Sequence, residues 1–348
     1  MQSTYNNIDH PSAWKTSELD KSRITISLDE QHLQALDEAL RNVQSCNHAL
    51  YDITRANFSL DTIKKDVTDW SSKVMQGRGI LLLSGLPVKE YTIEEIEIIY
   101  WGLGCHFGTP MSQSTLGDRM GHVVDIGGKD ARERAYRNST ELALHTDACD
   151  VVAMLCIRKA MRGGLSGYTS GLAVHNEILR THPDLLECLY KGYRYHRFGE
   201  EQPGEPPVTP YPIPVFSERD GYVSMNYLRA YIDLAYQELD ENLSNKEVQA
   251  LDVFDDISNS DDYRMNFMME PGDIVFFNNL TVLHTRGEFF DADEEYLKRH
   301  LLRLWLVAHQ RRPVIETLRV YEGDGIAERE NGSTYFDHDL TYREFGNT

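Results

Sequence analysis

The stretch LHTDACD, residues 144–150, sets an imidazole (His145), a hydroxyl (Thr146) and a carboxylate (Asp147) between two apolar runs. Leu142, Ala143 and Leu144 lead into it, and VVAMLCI, residues 151–157, follows. Strand-like apolar runs bury few polar groups, because an unpaired one costs about 1–3 kcal/mol. Alone, the triplet admits three bland readings: a satisfied core histidine, an aspartate capping a turn, or a simple His–Asp hydrogen bond. The rest of the chain has to choose between these and a functional site.

Three later stretches bear on that choice. In AMRGGLS, residues 160–166, Gly163-Gly164 permits a tight turn and close backbone approach, and Ser166 adds a hydroxyl. In MEPGDIVFFNNLTVLHTRG, residues 269–287, Pro271-Gly272 signals a type II turn, Asp273–Phe277 reads as a strand, and His284 ends a second short one. In KRHLLRLWLV, residues 298–307, Arg299 and Arg303 stand four apart in a strand and share a face, while His300, Leu302, Leu304 and Leu306 take the other. Two arginines on an apolar strand need an anionic partner, either an internal carboxylate or a ligand.

Composition narrows the classes. The 348 residues suffice for one large domain or two modest ones, and 41% hydrophobic content places the chain among folded proteins. A net charge of −20 opposes binding to nucleic acid or to an anionic membrane surface, yet a local arginine cluster still suits a small anion. No apolar run reaches the roughly 18 residues that a bilayer crossing needs. The five cysteines (Cys46, Cys105, Cys149, Cys156, Cys188) are scattered without a CxxC, which predicts reduced thiols in a cytoplasmic protein. The polar opening MQSTYNNIDHPSAW has no apolar core of a secretory signal.

The pattern predicts a polar arm over residues 1–22, then a helical layer over about 23–120. Ser27-Leu28-Asp29-Glu30 reads as a capping box before Leu33, Leu36, Leu40 and Val43, and Thr92 with Glu95 as a second. A helix is expected near 60–75 and a buried strand at Ile80–Leu83. From about 121 to 312 the pattern changes to short strands: HVVDIG, ELALHTD, VVAMLCI, YTSGLAV, YVSMN, RMNFMME, DIVFFNN and RHLLRLWLVA. Helices near 172–190 and 227–238 interrupt them. Gly199–Pro214 holds six of the twelve prolines and reads as a surface loop, and residues 313–348 form a C-terminal extension. Short strands with turn signals predict a mainly β sandwich or barrel with flanking helices, in one domain over 23–348.

Together, His145-x-Asp147, Gly163-Gly164-Leu165-Ser166, distal His284 and the arginines Arg299 and Arg303 resemble the taurine dioxygenase-like family of iron(II)/2-oxoglutarate-dependent oxygenases. Order and spacing match over most of the chain, which separates the set from its single motifs. The resemblance implies a double-stranded β-helix (jelly-roll, cupin-like) core with Fe(II) held by His145, Asp147 and His284. It implies 2-oxoglutarate and O2 as co-substrates, with Arg299 and Ser166 on the 2-oxoglutarate 5-carboxylate. Ser166 stands where the family more often has threonine. Arg303 is left for 2-oxoglutarate or for an acidic substrate, and the two arginines are exchangeable at this level.

The implied reaction is oxidation of an unactivated C–H bond, by hydroxylation, desaturation or ring closure, as 2-oxoglutarate becomes succinate and CO2. A small polar acid, an amino acid or a derivative of one, is the expected substrate, with Glu141, Asn138, Arg229 and Arg303 as its contacts by position. Neither nucleic acid nor membrane is expected as partner, and self-association stays open. Two other classes compete: a non-catalytic barrel used for binding, and a metal-dependent hydrolase. The first does not need the full ligand set, and the second leaves the paired arginines unexplained.

Overall fold

The structure, a computed structural model, describes residues 5–125, 139–202, 204–321 and 325–329. The N-terminal part supplies helices α1 (Lys21–Ile24), α2 (Glu30–Ser45), α3 (Lys64–Met75) and α4 (Ile93–Phe107), with strands β1 (Thr25–Ser27), β2 (Ile80–Ser84) and β3 (Gly108–Pro110). Next come β4 (Met120–Val123), β5 (Leu142–His145), β6 (Val151–Arg158), β7 (Arg162–Gly163) and β8 (Ser166–Ser170), then α5 (Gly171–Thr181) and α6 (Leu186–Lys191). The hairpin β9 (Phe216–Arg219) and β10 (Tyr222–Met225) precedes α7 (Arg229–Glu238) and α8 (Asn245–Asn259). The last strands are β11 (Arg264–Phe267), β12 (Ile274–Asn278), β13 (Val282–Arg286), β14 (Phe289–Phe290) and β15 (His300–Ala308).

A seven-stranded sheet runs β1-β2-β12-β6-β15-β3, with β4 also on β15, and a four-stranded sheet runs β11-β8-β13-β5. The large sheet therefore takes strands from both sides of residue 121. Period-2 alternation splits its side chains. Ile80, Leu82, Val152, Val275, Phe277, Leu301 and Trp305 join one core with Tyr168 and Phe267 of the small sheet. Their neighbours Leu81, Leu83, Ala153, Phe276, Leu302 and Leu304 join a second core with Leu36, Trp70 and Trp101 of the helical layer. Ring contacts mark both seams: Tyr168 meets Phe277 edge-on at 5.4 Å, and Phe107 stacks on Phe276 at 3.8 Å.

Several expectations change. Among the described residues helices hold more positions than strands, so the fold is mixed rather than mainly β. Helix α8, missed in the strand-rich half, starts on a capping box of Ser244 and Glu247. YTSGLAV is not one strand: Ser170 accepts from the Ala173 amide and caps α5, so the strand stops there. The first capping box shifts to Asp29 and His32, because Ser27 already pairs with Ser84 in the sheet. The expected polar arm is tied to the core, with Trp14 buried and its Nε1 donating to the Arg78 carbonyl. The end of HVVDIG lies outside the described residues. Among those described, no helix is long and apolar enough to cross a membrane.

Candidate metal centre

β5 and β13 are neighbours in the small sheet, and His145 and His284 are register partners whose ring centroids lie 4.1 Å apart. The sequence suggests His145 and Asp147 on one strand, but β5 ends at His145. Beyond it, side chains and a distant backbone replace ladder partners. The Thr146 amide donates to the Tyr227 carbonyl at 2.7 Å, and the Asp147 amide donates to Asn279 Oδ1 at 2.8 Å. Asn279 Nδ2 in turn donates to the Asp147 and Cys149 carbonyls. Asp147 is thus aimed back at the imidazoles. Its Oδ1 lies 3.7 Å from His145 Nε2, and its Oδ2 lies 3.5 Å from His284 Nε2. One ligand atom from each of the three residues falls within 4.8 Å of the others, the one such group among the described residues.

Protonation states suit a cation. His145 Nδ1 lies 2.8 Å from the Ala143 carbonyl, which only accepts, so the proton sits on Nδ1 and the Nε2 lone pair is free. Burial lowers the pKa of His145, and burial reinforced by His145 takes His284 down to about 3. Burial opposes ionisation of Asp147, yet Arg303, the two imidazoles and Trp305 together hold its carboxyl at about 2. Two neutral imidazoles thus face one carboxylate, a donor set that suits Fe(II) in an oxygenase better than a four-ligand structural zinc.

The two arginines occupy different ends of the inter-sheet space. Arg299 is buried, its Cζ sits 4.9 Å from the Phe289 ring, and its Nη1 has no hydrogen-bond partner among the described residues. Burial pulls its pKa down to about 10. Gly163 and Gly164 both have φ of +76°, and a side chain at Gly164 would press on Phe289 and Arg299. Ser166 is buried on the same face of β8 as Tyr168, which is the register partner of His284. A buried guanidinium with an open donor fits a carboxylate such as that of 2-oxoglutarate. Arg303 instead turns to the triad: its Nη1 is 3.7 Å from Asp147 Oδ2, and its Nε donates to Gln113 Oε1 at 2.7 Å.

The proposed substrate contacts are not all gathered. Arg229 is engaged by Asp233, Asp252 and Asp255 at 2.9–3.0 Å. Glu141 is exposed immediately before β5, and Asn138 lies outside the described residues. Other residues at the site escaped the sequence reading. Trp305, two residues from Arg303, was visible by strand period, as was Arg286, two beyond His284, whose Nη2 donates to the Thr140 carbonyl. Asn279 and Gln113 carried no local signal.

The chain resembles known proteins in sequence and in fold. A family model described as taurine catabolism dioxygenase TauD, TfdA family matches residues 44–305. The chain is 30% identical over 302 residues to FR-33289 synthase of Streptomyces rubellomurinus, covering 85% of this chain and 88% of that protein. It is 26% identical to a taurine hydroxylase-like protein of Stachybotrys chartarum, over 80% of this chain and 74% of that one. In fold it resembles the crystal structure of an asparagine oxygenase, with a TM-score of 0.63 at 16% identity over 82% of this chain and 94% of the other. The non-heme iron oxygenase OrfP superposes with a TM-score of 0.59 at 14% identity, over 85% of this chain and 98% of that one. Matched by the family model over most of its length, the chain belongs to the taurine catabolism dioxygenase TauD, TfdA family of iron(II)/2-oxoglutarate-dependent oxygenases.

Proposed function

We propose that this oxygenase acts on a C–H bond of a small polar acid, an amino acid or a close derivative, with His145, Asp147 and His284 as the iron ligands. The two facing sheets are read as the halves of a double-stranded β-helix, with the triad between them. Arg299 carries the co-substrate assignment: a buried cation with an unused donor, in an interior it shares with the triad, calls for a carboxylate. Ser166 supplies the accompanying hydroxyl. Iron(II) with 2-oxoglutarate and O2 supplies the oxidising power, and 2-oxoglutarate leaves as succinate and CO2.

The chain's own residues prepare that chemistry. The neutral imidazoles present lone pairs without first losing protons, and Asp147 is already ionised. Phe277, 4.8 Å from the His284 ring, and Tyr168, edge-on to Phe277, make the wall beside His284 apolar. Arg303 is the better anchor for the substrate's acidic group, since Arg229 is neutralised by its three aspartates. The amino-acid reading is supported by two enzymes of similar fold: the asparagine oxygenase bound to 2S,3S-3-hydroxyasparagine, and OrfP bound to (3S)-hydroxy-L-arginine.

The test is succinate release with Fe(II), ascorbate and 2-oxoglutarate across a panel of amino, carboxylic and neutral compounds, with products read by mass spectrometry. An acid should stimulate release and change mass by one oxygen or by loss of two hydrogens. His284→Ala should lose both metal and turnover. Stimulation by neutral compounds alone would remove the substrate reading and leave the iron chemistry intact.

A further inference from the structure

Away from the triad, a cleft of about 710 Å³ opens between the start of α3, the last turn of α4 and the segment after β15. Lys64 begins α3, His106 sits in the last turn of α4, and His309 follows Ala308 at the end of β15. Arg55 and Asp61 join them from the connection that precedes α3. None of His145, Asp147, His284, Arg299 and Arg303 lines this cleft. Its charge runs against that of the molecule. The chain carries 55 acidic and 35 basic residues, and Arg41, Lys73, Lys159, Arg180 and Lys191 each meet a carboxylate at 2.5–2.8 Å. Arg55 and Lys64 make no ion pair among the described residues, and Asp61, the one carboxylate on the wall, accepts from Ser59. Two imidazoles complete the cluster. His106 Nε2 donates to the Phe58 carbonyl and His309 Nε2 to the Cys105 carbonyl, each at 2.8 Å. A carbonyl only accepts, so each ring carries its proton on Nε2 and leaves Nδ1 open. Burial lowers the pKa of His106 against the pull of the Phe58 carbonyl and Asp61, and the charges of Arg55 and His309 add to the fall.

We propose that this cleft is a second binding site, separate from the metal centre, for a small molecule that bears a phosphate monoester. Its volume falls in the range of small-ligand sites. A phosphate monoester carries about two negative charges near neutral pH and three acceptor oxygens, which answers two cations better than one carboxylate does. Arg55 offers a planar fork of donors and Lys64 a point charge. Each imidazole, fixed by its Nε2–H on a carbonyl, gains a second donor at Nδ1 when it takes up a proton. A bound dianion therefore draws protons onto His106 and His309, the groups that Arg55, Lys64 and Asp61 face. Ser71 and Ser72, with Leu60 and Val67 beside them, suit a hydroxylated carbon skeleton behind the phosphate. Salt screens charge beyond about 8 Å, so the net charge of −20 leaves this local positive field in place.

The experiment uses the full chain labelled with 15N-histidine, near neutral pH and at constant ionic strength, titrated with glycerol 3-phosphate. Inorganic phosphate, acetate and glycerol are the comparison probes. His106→Asn and His309→Asn assign the two ring signals among the thirteen histidines. Before any addition both rings should show the Nε2–H tautomer. Glycerol 3-phosphate should move both signals saturably and raise the His106 pKa, while the His284 signals stay. Inorganic phosphate should do the same more weakly, and acetate and glycerol should leave both in place. Arg55→Gln combined with Lys64→Gln should weaken binding about ten-fold or more, as the loss of charge-assisted hydrogen bonds implies. Both side chains are exposed, so the melting temperature of that variant should match wild type. Unmoved His106 and His309 signals, an equal response to acetate, or wild-type affinity in the double variant would overturn the proposal. Should His106→Asn not fold, the His309 signal decides.

Discussion

Arg299 is a buried cation in an acidic protein, and among the described residues its Nη1 meets no acceptor. That donor contrasts with Arg229, expected from the sequence as a substrate contact, which is answered by three aspartates. Arg299→Ala should therefore raise the Kd for 2-oxoglutarate by 10²- to 10³-fold or more, the loss of about 3–5 kcal/mol expected when a buried charge pair is broken. Metal affinity should change by less than about three-fold. Arg303→Ala should differ, since that guanidinium faces Asp147: metal binding and response to the primary substrate should both weaken. Calorimetric titration of metal and of 2-oxoglutarate into both variants checks the split. Loss of 2-oxoglutarate binding in Arg303→Ala alone would exchange the two roles. The sequence displayed both arginines at strand spacing, although β15 begins at His300, one residue after Arg299. Which one stays without a carboxylate depends on acidic groups that folding brings near or keeps away.

At the level of elements, the Gly-Gly turn builds the floor under Arg299. The Gly164 amide donates to the Glu288 carbonyl at 2.9 Å, and β7 pairs Gly163 with Phe289, the residue whose ring lies against Arg299. A side chain at Gly163 would collide with the Glu288 carbonyl oxygen and would sit at a φ of +76°. Such strain costs about 1–3 kcal/mol. Gly163→Ala should lower the melting temperature and weaken 2-oxoglutarate binding several-fold, with metal affinity within two-fold of wild type. Thermal scans and paired titrations test this, and unchanged 2-oxoglutarate affinity would detach the turn from the co-substrate pocket. Element boundaries were legible where a cap is local, as at Thr92 and Glu95. They were not legible where a partner strand competes, as at Ser27.

For the whole molecule, three buried histidines away from the triad set the acid limit. Burial holds His175, His196 and His300 at about 4, against an unfolded value near 6.5. Between those values the unfolded chain binds more protons than the folded one. Stability is therefore complete above about pH 6.5 and is lost as pH falls toward 4. Glu177 adds a lower window. A hydrogen bond from Arg180 holds its carboxyl at about 2, so its contribution disappears only below its ordinary carboxylate range. Urea unfolding from pH 7.5 to 4.5 should show a midpoint that falls below about pH 6.5, with a smaller slope in His175→Gln. A flat midpoint over that interval would mean these imidazoles are protonated in the fold.

The sequence alone determined the chemistry available: His-x-Asp, a Gly-Gly-x-Ser turn, a distal histidine and two arginines at strand spacing, in an order that marks the family. Those signals are local, because side-chain period, turn residues and caps act over a few positions. Tertiary structure decided how that chemistry is held. Asp147 is fixed by Asn279, 132 residues away, and its Oδ2 accepts from Trp305, 158 residues away. Arg229 is neutralised by aspartates of its own helix and of the next. Burial, pairing and the direction of a hydrogen bond are properties of what packs against a residue, and folding draws those neighbours from strands, helices and turns that no local sequence pattern connects.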